Sequence, residues 1–512
     1  AGALSFLVLR AVREQRVELL AEALDACGAA GEASAVLEST AVTVLEHLVR
    51  ARHPQLDRVI AALTRTPSTA DVTTLIKVVD RAIFAGELEA AELLSRGAFE
   101  VAEVLGRVEL RAEALFRIGQ LQHQRGRLME AEATYARARD IASDLTLRHR
   151  IDVVHGELLR VRGDGAAVEL LERAASALHD AGALADAAEA RRQHAIALGA
   201  RGQLQRRTEL LEEALAWARE SGDTLVQTRC LLSKGVTAFR AGDGDGAERA
   251  LREALTGAES IGHLRTIGLL ACNLGNVLYR DRGDLGGARD AYARYLAMSE
   301  RLGDRLGAAT AVHNLAQLDR VQGDLASAES RYRRALAAFE ELGDRESVPG
   351  VLDGLGVVLR MAGKRLEAAE SHRRALDVAR VLSDTPTEEE ALWFLSNLAL
   401  DDEDDREAGQ RVAELSALET GTPNLPVRLA ALAVRRAARG TQLEVLRAAC
   451  THLREAQQSV GELEVDDRPI EAWLDAAQAF ARGSSPAEAE DARQQGRRAM
   501  GATHHDRIAE LT

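Results

Sequence analysis

Aromatic residues are scarce in this chain of 512 residues, since Phe, Trp and Tyr together make up 3% of it. Proline is also rare, with eight copies, so that long uninterrupted helices are permitted. Ala, Leu, Arg, Glu and Gly dominate instead. Helices that pack closely through Ala and Leu give such a composition, whereas β-sandwiches do not. The composition therefore predicts an all-α protein.

Cysteine and long apolar runs are lacking as well. The four cysteines lie far apart and form no CxxC pair, which excludes a disulfide framework and a zinc site and fits a reducing compartment. No apolar run approaches the roughly 20 residues of a membrane span. The apolar residues 3–9 have no basic segment before them and no clear cleavage site after them. We expect a cytoplasmic protein without a membrane partner and, because the chain starts without Met, a fragment or processed form.

Positive charge is in deficit, because 65 Lys and Arg residues face 80 Asp and Glu residues, for a formal net charge of −15. A chain this acidic repels phosphate backbones, so we expect no nucleic-acid partner. The sequence contains no GxxxxGK[ST], no HExxH and no GxSxG, the signatures of a phosphate-binding loop, a zinc protease and a serine hydrolase. We therefore expect no catalytic residues and no cofactor.

Three short segments suggest ligand binding but fit it poorly. Residues 242–246 are Gly-rich, yet no strand precedes them, so a flexible turn is favoured over a phosphate site. Residues 401–405 are all acidic, but a calcium loop starting there needs Gly and Glu where the chain has Arg406 and Val412. Residues 504–506 (His-His-Asp) are assigned to a solvated terminal helix in preference to a metal site.

The chain repeats itself about every 40 residues, most clearly in residues 308–379. A Gly recurs at this spacing, and Gly suits a helix end because the left-handed conformation carries no Cβ penalty there. Acidic residues that follow several of these glycines are placed to cap the next helix. The recurring glycines are Gly86, Gly126, Gly163, Gly202, Gly242, Gly283, Gly323 and Gly363.

Self-similarity at this period predicts stacked helix pairs, each of which needs its neighbours to bury its apolar face. We predict an all-α, right-handed α-solenoid of about ten or eleven stacked antiparallel helix pairs. Residues 1–68 do not follow the period and are interpreted as a helical cap or the tail of a preceding domain. Residues 69–400 form the regular array, and residues 401–512 form divergent repeats with a C-terminal cap. Small residues recur where the two helices of a pair approach closely, among them Gly119, Gly156, Gly235, Gly275 and Gly356.

These repeats resemble the tetratricopeptide repeat family over residues 70–400, and more weakly beyond. At about 40 residues the units exceed the family's usual 34. Units of this length are similar to those of kinesin light chains, polarity adaptors and the sensor arms of bacterial signal-transduction ATPases and regulators. The resemblance implies a surface on the first helix of each pair that binds a protein or peptide. The matching residues are Leu315, Ala316, Gly323, Ala328, Tyr332 and Ala335 in one unit, and Ile118, Gly119, Gly126, Ala131, Tyr135 and Ala138 in another.

Arginine recurs three residues before the turn Gly, and stacking would align the copies that lie 40 residues apart. A row of guanidinium groups in an acidic protein focuses a positive field and pairs with carboxylates or phosphate. Alternatively, these arginines bridge to acidic neighbours such as Asp281 and Asp319. The recurring arginines are Arg160, Arg280, Arg320 and Arg360.

Asparagine recurs beside the arginines, at Asn273, Asn314 and Asn397. By resemblance to long-repeat relatives, an Asn at this position faces the groove and binds the backbone of an extended peptide; an amide offers both donor and acceptor. Alternatively, the Asn bonds within its own helix turn. Gly354 interrupts the series, although Asp353 stands beside it.

The most polar patch of the predicted groove lies around Asn314. His313 precedes it, Gln317 follows at four-residue spacing from His313, and Arg320 comes one step further on the same face. We select this patch as the best single binding site. Alternatively, His313 is a solvated surface residue.

Three functions are compatible with the sequence. The leading hypothesis is a non-enzymatic scaffold or sensor arm of a bacterial signalling protein, which holds a protein or peptide segment, acidic in view of the arginines, in its concave groove. The second is a small-molecule inducer receptor, which requires a deep pocket with convergent polar groups. The third is the regulatory domain of an ATPase or kinase whose catalytic part lies outside this sequence. A homo-oligomer and a covalently attached upstream domain stay open.

Overall fold

The structure, a computed structural model, describes residues 69–500 except 419–421, 423, 441, 460–469 and 484. The predicted cap at residues 1–68 and the segment 504–506 lie outside the described residues. The described part of the chain forms 22 α-helices and no β-strand, so the all-α prediction is confirmed.

The helices follow one another in pairs, and consecutive helices pack against each other. The first helices of the pairs are α1 (Thr69–Ala85), α3 (Val108–Gln124), α5 (Leu145–Val161), α7 (Leu184–Ala200), α9 (Thr224–Arg240), α11 (Leu264–Arg280), α13 (Arg305–Val321), α15 (Val348–Met361), α17 (Thr385–Asp401), α19 (Leu425–Arg439) and α21 (Ile470–Arg482). The second helices are α2 (Leu88–Val104), α4 (Leu128–Ile141), α6 (Ala166–Asp180), α8 (Leu204–Ser221), α10 (Gly244–Ile261), α12 (Leu285–Leu302), α14 (Leu325–Leu342), α16 (Arg365–Leu382), α18 (Asp405–Ser416), α20 (Leu443–Ser459) and α22 (Pro486–Met500).

The chain divides into two compact units at Asp304. The described residues of the first unit hold the six pairs α1–α12, and those of the second hold the five pairs α13–α22. Eleven pairs agree with the predicted ten or eleven. The predicted boundary at residue 400 marks a loss of repeat regularity and stays a prediction.

Left-handed glycines end the first helices, as the spacing predicts. The eight recurring glycines all have positive φ, from +63° to +83°. After α13, for example, the N–H of Gly323 donates to the carbonyl of Arg320 at 3.1 Å, and the N–H of Asp324 donates to the carbonyl of Asp319 at 2.9 Å. The Asp324 carboxylate then accepts a hydrogen bond from the N–H of Ser327 and caps α14. The turn glycine and the acidic residue after it therefore stop one helix and start the next.

A large buried side chain packs onto a small residue where the two helices of a pair meet. A Cβ atom added at Gly275 would lie 2.5 Å from the Tyr292 ring, and one added at Gly356 would lie 2.5 Å from Nε2 of His372. Tyr292 and His372 are at most 1% exposed. The predicted small residues thus make room for bulky neighbours, and the core runs along the array between the helices.

Within each unit, first helices also pack against first helices of the next pair, as α5 does with α7 and α7 with α9. Neighbouring second helices have no comparably extensive contacts in the described part of the chain. Because stacked helices lie closest on the inside of a curved array, the first helices form the inner wall of each unit.

The first unit also contacts itself over a long sequence distance. The Phe84 ring, at the end of α1, meets the ring of His263 edge to face, with centroids 4.5 Å apart. A Cβ atom added at Gly86 would clash with the side chain of Leu302 at the end of α12. The six pairs of this unit therefore bring its first pair back onto its last, a contact that we call the first-unit closure.

Candidate functional site

A cavity of about 420 Å³ lies on the inner wall of the first unit. Its lining comes from the first helices α3, α5, α7 and α9, from the residues that lead into α9, and from one side chain of α4. Phe116, Val153 and Val226 give it apolar walls, and most of the remaining lining is polar or charged. The volume falls within the range of ligand sites. We call this space the inner cavity.

A row of charges with alternating sign runs along the first helices, and all of its members except Glu113 line the inner cavity. Its members each precede the turn Gly of their helix pair by 13 residues: Glu113, Arg150, Glu189 and Arg229. Nη1 of Arg150 lies 3.5 Å from the Glu113 carboxylate, and Nη1 of Arg229 lies 4.0 Å from that of Glu189. These ion pairs join one first helix to the next. The charged row therefore fixes the side chains of the wall before any ligand binds.

Two carboxylates of the inner cavity are held by arginines. Nε of Arg150 lies 3.3 Å from the carboxylate of Asp186. Burial raises the pKa of Asp186, and the positive charge of Arg150 only partly offsets this shift. Burial also opposes ionisation of Glu189, yet the charge and hydrogen bonds of Arg192 outweigh it and place the pKa of Glu189 below its ordinary value. Nε of Arg192 donates to Glu189 at 3.0 Å. Glu189 is therefore ionised and fixed in place.

Negative charge exceeds positive charge in the inner cavity. Its lining includes four carboxylates and two guanidinium groups, a formal charge of −2 with His123 neutral. Asp223 caps α9 by accepting a hydrogen bond from the N–H of Val226 at 3.0 Å. Glu157 differs from the other three, because no basic side chain of the described residues lies within 4.0 Å of its carboxylate.

Tyr135 adds a polar group without a partner. Its side chain is 2% exposed, and the described residues offer its hydroxyl no hydrogen-bond partner. Burial, together with the nearby charge of Glu157, raises the pKa of Tyr135, so the hydroxyl keeps its proton. Tyr292 packs on Gly275 as Tyr135 packs on Gly119, but the Tyr292 hydroxyl donates to Asn276 at 2.8 Å. Of these two tyrosine hydroxyls, only that of Tyr135, which lines the inner cavity, is left without a partner in the described part of the chain.

The predicted arginine row divides between the two units. Arg160 and Arg280 belong to the first unit, and Arg320 and Arg360 belong to the second. The carbonyls of Arg160, Arg320 and Arg360 accept the N–H of the turn Gly at 3.0–3.1 Å, which places each Arg in the last turn of its helix. Asp319 is 2% exposed and pairs with Arg331. The alignment of the arginines stays a prediction.

Two of the three predicted asparagines bond within their own helices. Nδ2 of Asn273 donates to the carbonyl of Leu269 at 2.8 Å, and Nδ2 of Asn397 donates to that of Trp393 at 2.9 Å. Asn397 is 5% exposed, and its Oδ1 accepts a hydrogen bond from the buried Arg435. Asn397 has therefore little surface to offer to a peptide.

Asp353 also lies inside the fold, at 7% exposure. Its carboxylate accepts a hydrogen bond from Nδ1 of His372 at 2.9 Å, and the His372 ring stacks on Phe394 with centroids 4.9 Å apart. The structure therefore places the Asp353 carboxylate at the seam between α15 and α16, where His372 already bonds to it.

The patch around Asn314 is the part of the prediction that the structure brings together. The Gln317 amide donates to Nε2 of His313 at 3.0 Å, and both side chains are half-buried on α13 with Asn314 and Arg320. Nδ1 of His313 is buried and has no hydrogen-bond partner among the described residues. Burial, helped by the charge of Arg320, lowers the pKa of His313 to about 4. The imidazole is therefore neutral at pH 7.

The inner cavity is not apparent from the sequence, because its lining combines residues from several different positions of the repeat. The charged row was visible in the sequence, since four consecutive units alternate Glu and Arg at the same distance from the turn Gly. In the described residues no helix is long and apolar enough to cross a membrane, and no three metal-ligating side chains form a cation site.

Comparison with known proteins supports the repeat assignment. The tetratricopeptide repeat family model matches residues 266–341. No curated protein has detectable sequence similarity to the chain. BtubC (BKLC) of P. vanneervenii is 21% identical and covers 47% of this chain and 93% of its own, with a TM-score of 0.38. A Rap protein in complex with Competence and Sporulation Factor is 14% identical over 87% of this chain and 100% of its own, with a TM-score of 0.40.

A signal-transduction ATPase with a tetratricopeptide repeat sensor, PH0952 of Pyrococcus horikoshii, is 12% identical. It covers 86% of this chain and 72% of its own, with a TM-score of 0.51, and at this identity the likeness concerns the fold alone. The helix pairs and the left-handed glycines at the turns recur along the described residues, and the family match at residues 266–341 assigns tetratricopeptide repeats to that part of the chain.

Proposed function

We propose that the chain is a non-enzymatic scaffold or sensor arm of a bacterial signalling protein, and that its inner wall holds an extended protein segment. The inner cavity is the observation that carries this proposal. It lies on first helices, it combines apolar walls with hydrogen-bonding groups, and its charged row is fixed by ion pairs. A wall that is ordered in advance loses little side-chain entropy on binding. The repeat fold and the sensor arm of the neighbouring ATPase support the same function.

The patch on α13 is proposed as a second contact region, within the second unit. Asn314 and Gln317 offer amide groups that match a peptide unit, and Arg320 supplies a positive charge beside the neutral His313. The exposed Arg280 and the half-buried Arg160 and Arg360 stay candidates for such contacts. We do not retain the buried Asp353 and Asn397 in the proposed site.

A small-molecule receptor is the second candidate function. The volume of about 420 Å³ is that of a small-ligand site, and polar groups of several helices converge on it. The composition of the lining favours the peptide, because drug-like ligands bind in predominantly apolar pockets and most of this lining is polar or charged.

Peptide selection on the full chain tests the proposal. Random short peptides are displayed and selected, and the recovered sequences are titrated by calorimetry. Ala185→Trp fills the inner cavity from the start of α7, whereas Ala216→Trp makes the same change on the exposed face of α8. We expect binding to be lost in the first variant and kept in the second. Failure to recover any peptide, together with saturable binding of a metabolite in a thermal-shift screen, would replace the scaffold by the receptor.

A further inference from the structure

The inner cavity has a chemistry that selects its occupant. We propose that the cavity anchors one Lys or Arg side chain of the bound protein segment, an inference that rests on the proposed function. The charged head would donate hydrogen bonds to Glu157 and Tyr135, and the apolar stem would lie along the valines of α5 and α9. The cavity is in this view a specificity pocket for a basic residue.

A carboxylate without an ion pair within 4.0 Å among the described residues is the first argument. Asp186 faces Arg150, Glu189 faces Arg192 and Arg229, and Asp223 caps a helix. Glu157 is half-buried and forms no ion pair within 4.0 Å among the described residues, although its charge acts on Arg192 from further away. A carboxylate that is partly removed from water gains most from a cationic partner, because desolvation makes its unpaired state costly. A ligand carboxylate would instead meet a cavity with a net charge of −2.

The unsatisfied hydroxyl of Tyr135 is the second, independent argument. Ring packing against Gly119 fixes where this hydroxyl lies, since a Cβ atom at Gly119 would come within 2.5 Å of the ring. Buried polar groups normally have a partner, and in the equivalent seam the Tyr292 hydroxyl has Asn276. An ammonium or guanidinium head presents several N–H donors, so that one head satisfies both the Tyr135 oxygen and the Glu157 carboxylate.

The apolar part of the lining is the third argument. Val153 and Val154 on α5 and Val226 on α9 line the same cavity as Glu157. Lys and Arg side chains bury their methylene stems against apolar surface while the head stays in a polar environment. A short polar ligand would leave these valines exposed to water, and an aliphatic side chain would leave Glu157 unpaired.

The test compares matched variants of the full chain on peptides from the display selection. In each recovered peptide the basic residue is replaced by norleucine, which keeps the stem and removes the charge. We expect the replacement to weaken binding to the wild-type chain about tenfold or more, as the loss of a charge-assisted hydrogen bond does. Glu157→Gln should weaken the parent peptide similarly and leave the norleucine peptide unchanged. Glu103→Gln, an exposed carboxylate of α2, is the control and should change neither affinity.

Tyr135→Phe separates binding from folding. Removal of an unsatisfied buried hydroxyl should not lower the unfolding temperature, whereas it should weaken the basic peptide severalfold. N-acetyl-lysine methylamide, a free cation of the same chemistry, should bind far more weakly than the peptide.

Each contrary result has a distinct meaning. If no peptide is recovered, the proposed function falls and this inference falls with it. If peptides bind but tolerate norleucine, or if Glu157→Gln leaves their affinity unchanged, the scaffold stands and the basic-residue pocket is refuted. If the free lysine derivative binds as tightly as the peptide, the pocket serves a small cationic molecule instead of a protein segment.

Discussion

Two glycines of α15 should respond in opposite ways to replacement by alanine. Gly356 lies in the seam with α16, where an added Cβ atom would come within 2.5 Å of the His372 ring. That ring cannot move freely, because it is 0% exposed, bonded to Asp353 and stacked on Phe394. Gly350 is exposed on the same helix, with no atom within 4 Å of an added Cβ.

The magnitudes follow from three effects. Alanine is favoured over glycine inside a helix by about 1 kcal/mol, a gain that both variants share in part. Overpacking at Gly356 should cost about 1–3 kcal/mol, and displacement of His372 from Asp353 should cost about 1–3 kcal/mol more. We therefore expect Gly356→Ala to destabilise the α15–α16 pair by about 1–5 kcal/mol and Gly350→Ala to stabilise it by about 0.5 kcal/mol.

Hydrogen exchange of the amides in α15 and α16 measures these changes locally, which suits an array whose pairs open individually. Circular dichroism during thermal unfolding checks that the remaining pairs are unaffected. If Gly356→Ala and Gly350→Ala increase the hydrogen-exchange protection of these amides equally, packing between the paired helices is not the reason for the small residue at position 356. Helix propensity alone would then account for both variants.

Three further predictions concern charged groups. Glu389→Ala should destabilise the second unit by about 3–5 kcal/mol, because Arg428, 5% exposed and paired with Glu389 at 2.8 Å, would keep only the more distant Glu390 at 3.7 Å. Glu370→Ala, at an exposed carboxylate of α16, is the control, and equal urea midpoints for the two variants would contradict this. Burial lowers the pKa of His263 to about 4, below its unfolded value of about 6.5, so stability should fall as pH decreases from about 6.5 to about 4, by at most about 3 kcal/mol. His263→Asn keeps a helix cap and should flatten this pH profile of the unfolding free energy; an unchanged slope would refute the assignment. Arg320→Glu should abolish binding of an acidic peptide without unfolding the array, and an unchanged affinity by calorimetry would remove Arg320 from the site.

The repeat architecture could be predicted because its determinants are local. A turn that requires positive φ selects glycine, so Gly323 and its equivalents are visible in the sequence alone. The rule has exceptions at Glu403, which adopts φ +60° and lies 40 residues after Gly363, and at Ser383, which adopts φ +57° after α16, 40 residues after Gly343. Ser383 is exposed, and the backbone hydrogen bonds that end α16, from the N–H of Ser383 to Arg380 and from the N–H of Asp384 to Ala379, hold this conformation.

The candidate site was less predictable, because it depends on how far individual side chains reach. Tyr135 and Tyr292 occupy equivalent positions in their helix pairs. The hydroxyl of Tyr292 donates to Asn276, whereas the hydroxyl of Tyr135 has no partner among the described residues. Gln120 stands where Asn276 would be, but its side chain is one methylene longer and does not bond to Tyr135. The resemblance to long-repeat relatives suggests the groove for Asn397 and for Asp353 beside the interrupted series. Nothing in the sequence indicates that Arg435 and His372 bind these two side chains inside the fold. Such pairings become visible only in three dimensions.

The first-unit closure constrains how this wall can respond to an occupant. In an open stack each junction can rotate independently, and the rotations add up toward a free end. With Phe84 resting on His263, the junctions from α1 to α12 form a circuit whose rotations must cancel. A bound segment that moves α5 away from α7 must therefore either bring another pair of helices closer together or separate the Phe84 and His263 rings. Binding at the inner wall is in this way coupled to the contact between the first and last pairs of the unit.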